Sequence, residues 1–478
     1  MNALYRDLTA LVRHFERENL PRVKADPRRL HYHLMPPVGW MNDPNGLCWY
    51  QGNYHVFYQY SPFNPDRGVI FWGHYSSPDL LHWQQQPVFL CPDQPWNLHG
   101  VYSGSALAEE DKLYLYYTGS VKFSGDYDFI NTGRGSNTAL AVSRDGIRPD
   151  ENRLLLENKD YPHDLSCHVR DPKVWKQDGK YYMVLGARTK SSKGQVLVYE
   201  SQDKVSWQHI NTIQTPEPFG YMWECPDLFQ VDGQYILSLS PQGVAREKYR
   251  FQNVYSCGYF PLNGDFRGEC TLGAYQEADQ GFDYYAPQTF LAPDGRRIVL
   301  GWMGMPDADY GNPTAAENGW QHAMSVPREL HWNGKAVTAQ PVKELEALRR
   351  NSRFLSFDGI SQVSLSDCSD LLIGNQGNSL TVRLGTDAEI TYAQGLLTLT
   401  FSGTAGQGRT RRTVEVEALR NLRILVDTSS LELFLNDGEQ VMTSRFYPES
   451  VRTLTLEGSG TAELYDMAPM TVSYLEDR

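Results

Sequence analysis

A recurring hairpin constrains this chain most. It reads "NGLCWYQGNYHVFYQY" from 45, "SALAEEDKLYLYYTG" from 105, "DPKVWKQDGKYYMVLGA" from 171, "PDLFQVDGQYILSLSPQ" from 226 and "PQTFLAPDGRRIVLGWMG" from 287. Each copy is a short strand, a polar or glycine turn, and a second strand of aromatic and β-branched residues. The starts lie roughly 55 to 65 residues apart, close to the repeat length of a propeller blade. A companion pattern, "SPDLLHW" at 77, "SRDGI" at 143 and "SQDKVSW" at 201, suits an outer strand entered through a turn. Units of this kind protect their edges when arranged radially around an axis. Residues 30–345 are therefore assigned to a five-bladed β-propeller whose first strands line a central channel.

The flanking segments differ in texture. "MNALYRDLTALVRHFERENLP" places Leu4, Leu8, Leu11, Val12 and Phe15 along one helical face, with Pro21 as a stop, so residues 1–29 read as a docking helix. Charges at Arg6, Asp7, Arg13 and Glu16 interrupt the apolar core that a signal peptide needs. "PVKELEALRR" at 341–350 reads as a connector, with the linker set at 346–353. From 354 to 478, segments such as "SLTVRL", "LLTLTF" and "RILVDTSSLELFLNDGEQVMTSRFY" alternate apolar and polar residues between turns, the pattern of an antiparallel β-sandwich. The fold class is thus all-β, a propeller followed by a sandwich, with one N-terminal helix.

Several function classes are disfavoured. A formal net charge of −13 argues against nucleic acid as partner and leaves a neutral small molecule open. The longest apolar runs, such as "RIVLGWMG", are too short to span a bilayer, so no membrane partner is expected. Seven cysteines without a C-x-x-C pair point to a reduced cytoplasm. Oligomeric state is left open.

Asp43, Asp171 and Glu224 are each expected at the turn-like entrance to a blade's first strand, in "NDPNG", "RDPKV" and "ECPDL". Asn, Asp, Pro and Gly also build ordinary turns. The other two copies carry "YSGSA" and "YAPQT" at that station, so an acid is not a structural requirement there. Equivalent positions of a propeller surround one channel mouth, so the three carboxylates are expected to converge. The chain lacks an EF-hand loop, a zinc-type array, a G-x-x-x-x-G-K phosphate loop and a G-x-S-x-G elbow. "DYD" at 126–128 reads as a solvated loop, "HYH" at 31–33 and His163 with His168 as ordinary polar residues, and "GRGSNTAL" at 133–140 as a weak glycine loop. No metal or cofactor is expected.

A carboxylate pair in an aromatic pocket suits glycosyl transfer, in which one acid protonates the leaving oxygen while a carboxylate attacks an oxocarbenium-like centre. Trp40, Trp72, Tyr102, Trp223, Tyr285, Trp302 and Trp320 are candidates for sugar stacking or for core packing. Asn42 and Gln59 suit sugar hydroxyls.

The ordered motifs "WMNDPNG" at 40, "FYQY" at 57, "YSGSA" at 102, "RDPKVW" at 170, "MWECPDLF" at 222, "YAPQTF" at 285 and "GWMG" at 301 resemble glycoside hydrolase family 32, the β-fructofuranosidases. This family includes invertases and bacterial sucrose-6-phosphate hydrolases. The resemblance implies Asp43 as nucleophile, Glu224 as acid/base and Asp171 as the transition-state stabiliser that holds fructosyl hydroxyls. It also implies a substrate site that includes Asn42, Gln59, Trp72, Tyr102, Ser103, Arg170, Tyr285 and Trp302, with Cys225 as packing. Arg170 would pair with a substrate hydroxyl or orient the acids. "SPFNPDRGVIFWGH" departs from the invertase pattern by placing Arg67 where many invertases have a second Trp. Arg67, Lys122 and Arg246 are either phosphate ligands or surface charges. The expected substrates are sucrose, sucrose 6-phosphate or short fructo-oligosaccharides. Rival readings are a fructosyltransferase using the same covalent intermediate and a non-catalytic fructan-binding module, which the presence of all three acids disfavours.

Overall fold

A computed structural model describes residues 2–448 and 453–477. The N-terminal helix Ala3–Lys24 is capped by the Asn2 side chain, which accepts the Tyr5 N–H, and Arg22 and Lys24 sit in its last turn. It continues three residues past Pro21, where the expected stop fails: Leu20 and Val23 bury in the core on either side of the proline, and that packing outweighs the ladder bond the proline forfeits. The buried face is also rotated from the expected one. Tyr5, Val12, Glu16, Leu20 and Val23 are buried, whereas Leu4 and Leu11 are 46% and 51% exposed. A glutamate can occupy that face because Tyr60 Oη and Gln85 Nε2 donate to its carboxylate; burial raises its pKa to about 7.

The strands that precede residue 342 form the sheets of a β-propeller, five in the strand pairing. Their first strands are Gly39–Tyr50, Val101–Glu109, Leu165–Gln177, Met222–Val231 and Tyr285–Leu291. Each packs against the next, and the last packs against the first, which closes a ring around the axis. The first sheet is held at both edges by distant segments: Trp320–Gln321 pairs parallel to Gly39–Tyr50, and Thr471–Ser473 pairs parallel to His82–Leu90. Segments far along the chain thereby cover part of each edge of this sheet.

The acidic motifs lie inside the first strands and do not form turns that enter them. Each first strand is bulged at this station: register breaks between Met41 and Pro44, Tyr102 and Gly104, Glu224 and Asp227, and Tyr285 and Gln288, and at Asp171 the partner strand skips from Val184 to Gly186. Asp171, Cys225 and Ala286 have positive φ of 65°, 48° and 49° there. A bulge leaves one residue unpaired and redirects its side chain. It also tolerates a residue without an N–H, which accounts for Pro44, Pro172, Pro226 and Pro287.

Lys343–Leu348 forms a 3₁₀ turn, and Arg349 already begins the long strand Arg349–Ser364, so the connector ends earlier than 353. The C-terminal unit is a nine-stranded, sandwich-like sheet folded over a core that includes Leu371, Val382, Ile390, Leu399, Ile424 and Leu433. Buried charges join it to the propeller. His33 bonds Asp427 and Glu432 at 2.8 Å each, Arg328 reaches Asp279 and Glu432, and Arg409 pairs with Asp283. Among the described residues no helix is long and apolar enough to cross a membrane.

Candidate active site

The bulges of the first strands face a cavity of about 750 Å³ lined by Trp40, Asn42, Asp43, Gln59, Tyr102, Arg170, Asp171, Glu224, Gln242, Tyr285 and Trp302, among others. The three carboxylates expected at one channel mouth are therefore brought together.

Asp43 lies within a closed chain of donors and acceptors. Trp40 Nε1 donates to Asn42 Oδ1 at 2.8 Å, and Asn42 Nδ2 donates to Asp43 Oδ1 at 3.1 Å and to Gln59 Oε1 at 2.9 Å. Gln59 Nε2 donates to Asp43 Oδ2 at 3.1 Å and to Ser103 Oγ, whose hydroxyl donates to the same Oδ2 at 2.5 Å. Every amide hydrogen of Asn42 and Gln59 is used, so neither amide can rotate without breaking two bonds. Burial raises the Asp43 pKa and the nearby Glu224 charge adds to the rise, while Ser103 and Asn42 oppose it. Acceptance of three side-chain N–H or O–H bonds favours the ionised form.

Glu224 is held by residues of three other strands, Leu165–Gln177, Gln234–Gln242 and Tyr285–Leu291. Arg170 donates through Nε and Nη2 to Oε1 at 3.1 and 2.5 Å, Gln242 Nε2 donates to Oε2 at 2.9 Å, and Tyr285 Oη lies 2.6 Å from Oε2. Tyr285 can donate to a carboxylate or accept from a carboxylic acid, so it suits both protonation states. Arg170 thus fixes the position of the Glu224 carboxylate. His168 fixes Arg170 in turn: its Nδ1 accepts Nη1 at 2.7 Å, and burial with the Arg170 and Arg134 charges lowers its pKa to about 3.

Asp171 accepts the Cys225 backbone N–H at 2.9 Å, and its own N–H donates to Thr118 Oγ1 at 2.8 Å. Burial raises its pKa to about 7; Arg170 opposes this, and Glu224 and Asp43 add to it. Cys225 Sγ sits 3.7 Å from both Asp43 Oδ2 and Asp171 Oδ2, so this thiol packs between the two acids.

The remaining expected site residues divide. Tyr102, Tyr285 and Trp302 line the cavity, as do Arg67 and Lys122. Trp302 Nε1 is buried without an acceptor, which leaves a donor for a bound hydroxyl. Trp72 does not line the cavity. Its ring is fully buried beside Phe57 and Tyr117 and its Nε1 donates to the Tyr102 carbonyl, because the alternation of strand Phe71–Ser77 turns it into the core between sheets. Trp223 and Trp320 are likewise core residues. Arg246 is exposed and absent from the cavity wall. Gln242, a lone Gln at a strand end, carries no signal in the sequence. Arg134 lies within "GRGSNTAL", whose glycines suggest a loop and mask a cavity-lining cation.

Residues 33–341 match the Glycosyl hydrolases family 32 N-terminal domain, and residues 383–472 match the Glycosyl hydrolases family 32 C-terminal domain. The chain belongs to glycoside hydrolase family 32. It is a glycosidase. The chain is 36% identical over 460 residues to a sucrose-6-phosphate hydrolase of Bacillus subtilis, covering 93% of this chain and 94% of that one. It is 37% identical over 438 residues to a raffinose invertase of Escherichia coli, covering 88% and 89%. The solved sucrose-6-phosphate hydrolase of Lactobacillus gasseri superposes with a TM-score of 0.87 at 31% identity, covering 96% of each chain.

Proposed function

We propose that this family 32 enzyme is a retaining β-fructofuranosidase whose preferred substrate is sucrose 6-phosphate. The observation that carries the catalytic reading is the arrangement of two carboxylates on one cavity: Asp43 fixed by Asn42, Gln59 and Ser103, and Glu224 fixed by Arg170, Gln242 and Tyr285. Asp43 attacks C2 of the fructosyl unit. The bond from C2 to the bridging oxygen breaks, its electron pair stays on that oxygen, and Glu224 supplies the proton. Glu224 then takes a proton from water, which attacks C2 and releases Asp43, so the configuration is retained. Asp171 holds fructosyl hydroxyls and strengthens those bonds as charge develops on the ring. The preference for the phosphorylated sugar rests on near full-length similarity to enzymes named for that activity.

The same reading makes each propeller sheet one blade of a five-bladed catalytic unit ending near 345, with the sandwich as an accessory domain. Seven free cysteines, six of them buried, fit a reducing compartment, and we place the enzyme in the cytoplasm.

Asp43→Ala and Glu224→Ala should each lower kcat by about three orders of magnitude or more while the variants stay folded. NMR of the first fructose released should show the β-furanose form. Initial release of the α-furanose form, or near-normal turnover by either variant, would overturn the assignment.

A further inference from the structure

One part of the cavity wall is cationic and, among the described residues, has no carboxylate counter-charge, although Lys122 Nζ lies 5.8 Å from the centre of the Phe129 ring. Lys122 and Arg134 are direct cross-strand partners in the ladder between Lys112–Lys122 and Arg134–Ser143, and both line the cavity. Like charges opposite one another weaken a sheet unless something lies between them. Among the described residues neither side chain forms an ion pair with a carboxylate. The surrounding acids are otherwise engaged: Asp128 accepts the N–H groups of Ile130, Asn131 and Thr132, and Asp307 takes the Tyr255 hydroxyl. Among the described residues Asp66, beside Arg67 on the same wall, forms no ion pair with these cations.

Arg134 Nε is buried with no hydrogen-bond partner, a costly state for a charged donor. Burial, and then the neighbouring charges of Arg170 and Arg67, lower its pKa from the ordinary arginine range. A bound anion would relieve all three effects. His99 adds a neutral donor: its Nδ1 accepts the Lys122 N–H at 3.1 Å, which leaves the ring proton on Nε2, and the residue lines the cavity. The location also fixes which part of a substrate would meet this wall. Arg134 lines the same cavity as Arg170, which orients Glu224, the group that protonates the leaving oxygen.

We propose that Arg134 and Lys122, flanked by Arg67 and His99, form the subsite for a phosphate monoester carried by the leaving sugar. The inference rests on the sucrose 6-phosphate reading above and assigns residues to it. The Arg134 fork matches two phosphate oxygens, and Lys122 acts as a point charge on the dianion. Arg67 is a flanking member, and Arg246, away from the cavity, takes no part.

The test compares specificity constants for sucrose 6-phosphate and sucrose in the wild type and in Arg134→Gln, Arg134→Lys and Lys122→Gln. Inhibition of sucrose hydrolysis by glucose 6-phosphate and by glucose is measured in parallel. Arg134→Gln should lower the sucrose 6-phosphate to sucrose ratio about tenfold to hundredfold, the size of one or more charge-assisted contacts. Arg134→Lys should restore part of it. Lys122→Gln, at an exposed position that does not threaten folding, should lower it several-fold. Glucose 6-phosphate should inhibit the wild type more strongly than glucose, and Arg134→Gln should lose that difference. A wild-type preference that survives in both glutamine variants would overturn the subsite and leave the proposed substrate standing. A wild-type ratio near one would overturn the substrate, and the two inhibitors then decide the subsite: equal inhibition overturns it, and a glucose 6-phosphate advantage lost in Arg134→Gln supports it.

Discussion

Ser103→Ala isolates the device that keeps Asp43 ready to attack. The Ser103 hydroxyl donates to Asp43 Oδ2 at 2.5 Å and receives Gln59 Nε2, so the substitution removes the shortest bond to the carboxylate and one acceptor from the supporting amide. A hydrogen bond to a charged group contributes about 1.5 to 3 kcal/mol, and one pH unit corresponds to about 1.4 kcal/mol, so the loss amounts to roughly one to two units. The sign follows from the arrangement. Ser103 lowers the Asp43 pKa against burial and the Glu224 charge, so its removal raises that pKa. Asp43 attacks in its ionised form, so the acid limb of the kcat/KM profile should move to higher pH by about one unit or more. The assay is kcat/KM on sucrose across about pH 4 to 8 for wild type and Ser103→Ala, with Ser103→Thr as the variant that keeps a hydroxyl. The limb of Ser103→Thr should lie between the other two. An unmoved acid limb beneath a lower plateau would show that Ser103 only spaces the site and does not tune the nucleophile.

Asp171→Asn should leave sugar binding measurable and cut kcat by about a hundredfold or more, because its hydrogen bonds matter most as positive charge develops on the ring; a loss confined to KM would make it a ground-state binder. Trp72→Ala should cost about 3 to 5 kcal/mol in urea unfolding through the cavity left between sheets, whereas Trp302→Ala should raise KM; the reverse pattern would refute the placement of the two rings. Burial works to lower the His33 pKa, but Asp427 and Glu432 raise it to about 9, above its usual 6.5. Its contribution is therefore complete below pH 6.5 and lost as pH rises through about 9. The stability gap between wild type and His33→Gln should shrink by about 3 kcal/mol over that interval, and a gap that stays constant with pH would refute a charged His33.

The repeated hairpins, the helix before them and the alternating strands after them were legible because hydrophobic period and turn residues are local properties. The acidic trio was legible for a related reason: repeats about one axis place equivalent positions together, so Asp43, Asp171 and Glu224 could be brought to one mouth without knowledge of any distance. Tertiary structure decided the rest. The motifs resembled turns because Pro and Gly serve bulges as well as turns, and only strand register shows that Asp43 sits within Gly39–Tyr50. Trp72 and Trp302 look alike in sequence, yet one closes the core and the other faces the cavity, a choice made by strand pairing and pleat. The helix face turned because Tyr60 and Gln85, far along the chain, satisfy Glu16, and no local pattern encodes a distant donor. Arg134 and Lys122 meet for the same reason: their pairing is fixed by the register of two strands, and their missing counter-charge shows only once every neighbour is in place.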